Sequence, residues 1–367
     1  MGFLGKLFKS DPPRDAVKTS VQHNSDGSQT VRTEFSLKGG DTRPVRDDVV
    51  TLFDDALQSL GGNVMHAMDP SRLLSFEHGG PPIWSVGMVE LPSYTLLMTY
   101  GFSHALSPEK FREGLMHEFS FAVPKGTPLS PWADAFLRHQ ARYVLTQGSD
   151  IRPNDCVPFR GVAMTRIPFQ PAHHAMMPDS SLVGMLATID PVLPRIDTPH
   201  GAVEVRRLVC IDSRELDRAE TWSAKGFLEE LRKADPLLLS PLTRRCLLDD
   251  AGFGATVEKR FASEGSDIDA ALFDLVWDET QDGVELHLPE SKQGAERFAN
   301  ALRGRVGFGR KLVAFSMHAP PIVFTPGVAQ VVLTERSLEI GGDLSAGAPA
   351  QILSALLAGE ASVRLPL

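Results

Sequence analysis

The chain has 367 residues, 42% apolar and 23% charged. That is the balance of a folded protein with room for two domains, and it excludes a disordered chain. Its net charge of −9 argues against a nucleic-acid partner, because such binders need a basic surplus to displace counterions. The charge is uneven, +3 over residues 1–46 and −12 over the remainder.

In chain order, "MGFLGKLFKSD" lacks a secretory cleavage pattern. Phe3, Leu4, Leu7 and Phe8 share one helical face beside Lys6 and Lys9. That face suits a membrane or partner contact, and a frayed terminus is the simpler reading. "VKTSVQHNSDGSQTVRTEFSL" predicts a hairpin, with alternating apolar positions on both sides of "NSDGS". After Gly39–Gly40, Pro44 opens a helix with apolar positions through Leu60, and Gly61 closes it. "IWSVGMVEL", "SYTLLMTYGF" and "MHEFSFAV" then read as strands. Ser130–Pro131 opens a helix running towards Gly148. More strands surround "SLVGMLATID" and "AVEVRRLVCID", and two helices follow in "SRELDRAETW" and "AKGFLEELRKAD".

Residues 249–280 are acid-rich and predict two short helical stretches broken by Gly252, Gly254 and Gly265. Beyond them the order is strand, helix, four strands, helix. This interleaving is neither a regular βαβ series nor an all-β pattern. The expectation is an α+β, two-lobed chain of mixed sheets flanked by helices, with an N-terminal hairpin appendage. Its expected domains are 1–43, 44–250 and 251–367.

"LRGRVGFGRK", Leu302 to Lys311, looks like a phosphate loop but has the wrong order of elements. Ala295, Phe298, Ala299 and Leu302 place a helix before it, and "KLVAFSM" places a strand after it. A phosphate loop needs the start of a helix, where free N–H groups and the positive dipole end lie. Here the helix ends, with Gly304 expected as its stop, and Arg303 and Arg305 complement its carbonyls.

No G-x-S-x-G, H-E-x-x-H or Walker-type pattern occurs. Cys156, Cys210 and Cys246 are odd in number and far apart. They form neither a disulfide framework nor a zinc site, and they suit a reducing cytoplasm. No apolar run reaches the roughly 18 residues of a membrane span. His173–His174 with Met176 and Met177 offers soft ligands in a poor geometry, since neighbours on an extended chain point apart. His104 with Asp155 and Cys156 offers a Cys–His pair with nothing local to activate the thiol. No cofactor is expected. An enzyme whose site is assembled from distant residues is the alternative reading.

Six segments in order carry a resemblance: "TYGFS" (99–103), "HEFSFAVP" (117–124), "PWADAFLRHQARYVLTQG" (131–148), "IDTPHGAVEVRRLVCI" (196–211), "WSAKGFLEEL" (222–231) and "ALRGRVGFGRKLVAF" (301–315). Together they resemble the Suppressor of fused family over residues 48–250 and, more thinly, 280–330. The chain lacks the long polar insertion of the animal proteins and is similar to a compact bacterial member. The resemblance implies a non-catalytic binding protein whose two lobes close on an extended peptide that adds as a strand between them. It implies partner contacts at Tyr143 and Asp155. A further family acid falls at Ile189 here, with Asp190 following, so Asp190 is the third candidate. Tyr143 also fits a residue that packs its helix on the sheet. The resemblance further implies a role as an immunity protein, with a toxin as the protein partner.

Overall fold

The computed structural model describes residues 17–23, 29–35, 47–68, 83–103, 115–147, 150–199 and 201–367. The predicted amphipathic face at Phe3–Phe8, the helix opening at Pro44 and the residue His104 lie outside them. The hairpin pairs β1 (Val17–His23) with β2 (Gln29–Phe35) in an antiparallel register, Val17 opposite Phe35.

The first lobe runs α1 (Asp47–Gln58), β3 (Val64–Met68), β4 (Ser85–Glu90), β5 (Tyr94–Tyr100), β6 (His117–Pro124), α2 (Trp132–Gln147) and β7 (Cys156–Pro158). It continues through β8 (Leu182–Ile189), β9 (Arg195–Thr198), β10 (Gly201–Asp212), α3 (Ser213–Thr221), α4 (Ala224–Ala234) and α5 (Ala251–Glu264). Its eight-stranded sheet has the order β3-β4-β5-β6-β10-β8-β7, with β9 paired to β10. β10 runs parallel to β6 and antiparallel to β8.

Strand alternation sends successive residues to opposite faces. Leu97, Leu208 and Cys210 meet Trp132, Phe136 and Val144 of α2 on one side. On the other, Leu96 and Met98 meet Phe53 and Leu57 of α1, while Val209 and Ile211 meet Trp222, Phe227 and Leu231 around α3 and α4. Both faces are covered, which is why the strands read as nearly continuous apolar runs.

The second lobe holds β11 (Ala270–Leu272), β12 (Val276–Thr280), β13 (Gly283–His287), α6 (Lys292–Arg305), β14 (Leu312–Phe315) and β15 (Ile322–Thr325). It ends with β16 (Gln330–Leu333), β17 (Leu338–Gly341), α7 (Ala348–Ala358) and β18 (Ser362–Leu365). A mixed sheet β11-β14-β15-β17-β16 and an antiparallel sheet β12-β13-β18 share one core with α6 and α7, centred on Phe298, Leu302, Phe324 and Ile352.

Three expectations change. Gly252 and Gly254 are not breaks; both lie within α5, whose start Asp250 caps by accepting from Gly252 N and Phe253 N. Gly254 is small because a Cβ there would stand 2.4 Å from the Leu248 carbonyl oxygen. α5 buries Val257 and Phe261 in the core of α3 and α4, so residues 251–264 pack with the first lobe. Residues 266–280, expected to be helical, supply β11 and β12 instead. Finally, α6 passes through Gly304 to Arg305 and a single turn at Val306–Phe308 before Gly309 closes it at φ +65°. Gly304 serves close packing: a Cβ would meet the Phe261 ring at 2.8 Å.

Candidate functional site

β7 is the last strand of the first-lobe sheet and β11 the last of the five-stranded sheet in the second. Among the described residues, both therefore have one unpaired side. They line the same cavity, of about 550 Å³, with Asp155, Cys156 and Pro158 on one wall and Ala270, Ala271 and Leu272 on the other. Its remaining wall is Glu220 of α3, Ala224 of α4 and Arg297 of α6, with Arg160 and Ile268 at the margins.

Pairing sets which backbone groups face that space. Phe159 N donates to Val183 O and Ala187 N to Asp155 O, so odd-numbered residues of β7 face β8. The backbone groups of Cys156 and the Pro158 carbonyl then face outward. In β11, Val313 N donates to Asp269 O and Phe273 N to Phe315 O. Ala270 and Leu272 thus present their backbone groups to the open side.

The glycine–arginine stretch has its function here. The chain crosses between lobes at Gly265–Asp269. Arg305 Nη1 and Arg310 Nη1 donate to Ser266 O at 3.0 and 2.8 Å, and Ser266 N donates to Gly304 O. From the first lobe, Asp267 N donates to Trp222 O and Ser223 Oγ to Asp267 Oδ2 at 2.6 Å. The arginines at the end of α6 staple the crossing segment that leads into β11.

The three singled-out residues separate. Asp155 lines the cavity, and its Oδ2 accepts from Arg152 N at 2.7 Å, fixing the turn into β7. Tyr143 is 40% exposed near the end of α2, between the buried Gln140 and Val144, and is not among the cavity's lining residues. Asp190 is 1% exposed. Its Oδ2 pairs with Arg207 at 2.7 Å and accepts from Ser120 Oγ, and its Oδ1 accepts from Val192 N and Leu193 N. A carboxylate with every position used and no solvent access organises its own lobe. As a surface contact for a partner, Asp190 is corrected.

The other chemical candidates resolve into structure. Burial pushes the Cys156 thiol well up, with Glu220 adding to the shift, so it is a neutral packing group. His174 Nε2 sits 3.0 Å from Phe169 O in the short turn Pro171–Met176, while Met177 is buried and Met176 exposed. Asp212, Glu215 and Cys246 have ligand-like spacing. Asp212, however, accepts from Arg214 N and Glu215 N as the cap of α3, and Glu215 accepts from Arg244 and Leu247 N. Their oxygens serve a helix start.

One relay was not legible from the sequence. His66 stands 3.1 Å from both Ser85 Oγ and Asp54 Oδ1, and Tyr100 OH donates to Asp54 at 2.7 Å. These residues sit on three strands and a helix, with no local spacing to signal them. Ser85 is fully buried, which denies a substrate access to its oxygen. The arrangement ties α1 to the sheet.

Comparison with known proteins agrees with this architecture. The family model for Suppressor of fused protein (SUFU) matches residues 79–245. The human Suppressor of fused homolog is 23% identical over 235 residues, covering 57% of this chain and 46% of the human protein; the mouse homolog gives the same figures. The match thus spans about half the length of these curated relatives. The crystal structure of Drosophila Suppressor of fused has the same fold, with a TM-score of 0.58 and 16% identity over 86% of this chain and 90% of that one. Residues 79–245 thus match the Suppressor of fused family model across the sheet that carries β7, and the likeness of fold to the Drosophila protein extends over both lobes.

Proposed function

We propose that the chain is a non-catalytic partner-binding protein that captures an extended polypeptide segment by strand addition between β7 and β11. One observation carries this reading: two open sheet edges, one from each lobe, line a single cavity. An added strand satisfies unpaired backbone groups on both sides, so backbone bonds supply affinity and side chains supply selection. The cavity's charges are balanced, Asp155 and Glu220 against Arg160 and Arg297, which suits a polypeptide better than a polyanion.

Asp155 is proposed as the register-setting contact and Tyr143, exposed on α2, as a further anchor for the partner. Asp190 supports them from inside the lobe. The three free cysteines fit a reducing cytoplasm. The resemblance extends the reading to a toxin partner; co-expression of this chain with a toxin encoded beside it should then restore growth, and continued killing would discard that role.

Affinity capture from the native cell, with mass spectrometry, tests the binding reading. Tyr143→Ala should fold normally and lose about thirtyfold in affinity for the captured partner, roughly 2 kcal/mol. Asp155→Ala should also fold and weaken the same complex. If both variants bind as the parent does, the cleft is not the interface.

A further inference from the structure

We propose that Arg297 is an inter-lobe latch that positions the open edge of β11; its use in capture rests on the strand-addition reading, and its mechanics do not. Arg297 leaves α6 in the second lobe and reaches α3 in the first. Its Nη2 pairs with Glu220 Oε2 at 2.8 Å. Its Nε lies 3.8 Å from Asp217 Oδ1, an electrostatic contact too long for a hydrogen bond, while Gln293 of the same helix donates to Asp217 Oδ2 at 2.6 Å.

The third nitrogen completes the latch. Arg297 Nη1 donates to Leu272 O at 2.9 Å, and the guanidinium lies 5.1 Å over the Phe273 ring. Leu272 O is on the unpaired side of β11, because the pairing with β14 uses residues 269, 271 and 273. One planar group therefore grips the edge strand by an outward carbonyl and ties it to a carboxylate of the opposite lobe.

This tie matters because the pairing of β11 with β14 spans only three residues. β11 itself is three residues long, Ala270 is exposed and Leu272 is 47% exposed. Its upstream end is held at Ser266 by Arg305 and Arg310, and Arg297 holds its downstream end. Burial pushes both Glu220 and Asp217 upward, with Arg297 opposing the shift in each, as expected of partly desolvated acids sharing a cation. An occupied outward carbonyl also keeps the edge from pairing indiscriminately before a partner arrives. Arginine suits the position because its rigid fork serves two directions at once, which a lysine point charge does not.

Amide hydrogen exchange on the full chain, with no partner added, tests the latch. Arg297→Ala should speed exchange across residues 268–273 at least tenfold and leave β15 and β17 unchanged. Arg297→Lys should recover part of that protection, Glu220→Gln should loosen the same residues by a smaller factor, and Arg303→Ala, an exposed change on the same helix, should match the parent. Unchanged exchange at 268–273 in Arg297→Ala, or an equal rise across the whole second lobe, overturns the proposal. Should Arg297→Ala fail to fold, Glu220→Gln decides: a rise confined to 268–273 supports the latch and no rise overturns it. Failure of the capture reading shows separately, as normal partner binding by the Tyr143 and Asp155 variants.

Discussion

Each wall of the cleft pairs with one neighbouring strand over three residues, and the two differ in what else holds them. β7 is fastened by backbone bonds and packing within one lobe: Asn154 N reaches Ala187 O at 2.7 Å, Phe159 N reaches Val183 O at 2.8 Å, and Val157 packs on the core beneath α2. β11 is short and half-exposed, and cationic side chains hold it from outside its sheet at Ser266 and Leu272. Neutral bonds inside a dry core fix a wall in place, whereas ion-assisted bonds across an interface let a wall adjust when its partner charge moves. In the capture proposed above, the first wall serves as the template and the second as the jaw.

The strongest way to break that comparison is to damage the template from within. Asp190 and Arg207 are both inaccessible, and Arg207 also donates to Leu237 O at 2.8 Å. Removing one partner leaves the other charge buried and unpaired. Asp190→Ala should cost about 3–5 kcal/mol in the unfolding of the first lobe, read by urea titration. A loss below about 1 kcal/mol would show that the pair is not what holds this lobe.

A smaller effect comes from pH. Burial pushes Glu118 up to about 7 despite bonds from Thr99, Gly101 and Ser103, and burial with Arg206 pushes its neighbour His117 down to about 4. Between about 4.5 and 7 the folded protein keeps a proton on Glu118 that the unfolded chain releases, so this group makes stability fall as pH rises. His117 acts oppositely between about 4 and 6.5, where the unfolded chain binds the extra proton and stability rises with pH. The two nearly cancel over their common range. Glu118→Gln should expose the histidine slope as a gain of up to about 3 kcal/mol from pH 4 to pH 6.5, whereas the parent stays flatter. Parallel pH profiles for the two proteins would refute this assignment.

The smallest effect belongs to the jaw's hinge. Arg305→Ala removes one of two donors to Ser266 O and one to Lys311 O, and should cost about 1 kcal/mol, because Arg310 still covers Ser266. A cost several times larger would mean that the second lobe depends on this residue for its own fold.

Long, doubly covered strands and capped helices were legible because their composition and period agree, as in "HEFSFAV" and "SRELDRAET". The walls of the cleft were not. β7 and β11 are three residues each, too short to display an alternation, and β11 lies inside the acid-rich stretch 249–280 that reads as helical. Family resemblance placed Asp155 at the cleft, but it also pointed at Asp190, where only the fold shows a buried pair with Arg207. Gly304 is a helix stop by pattern and a packing position in space, because its constraint comes from Phe261 on another helix. Arg297 carries no sequence signal at all; its partners lie on α3 and β11.

The central claim is that a partner strand bridges β7 and β11, and amide exchange of the captured complex tests it most directly. Addition of a strand should slow exchange at Cys156 on the first wall and at Ala270 and Leu272 on the second, all in the same complex. Protection elsewhere on the molecule, with these three amides exchanging as they do in the free protein, would contradict it.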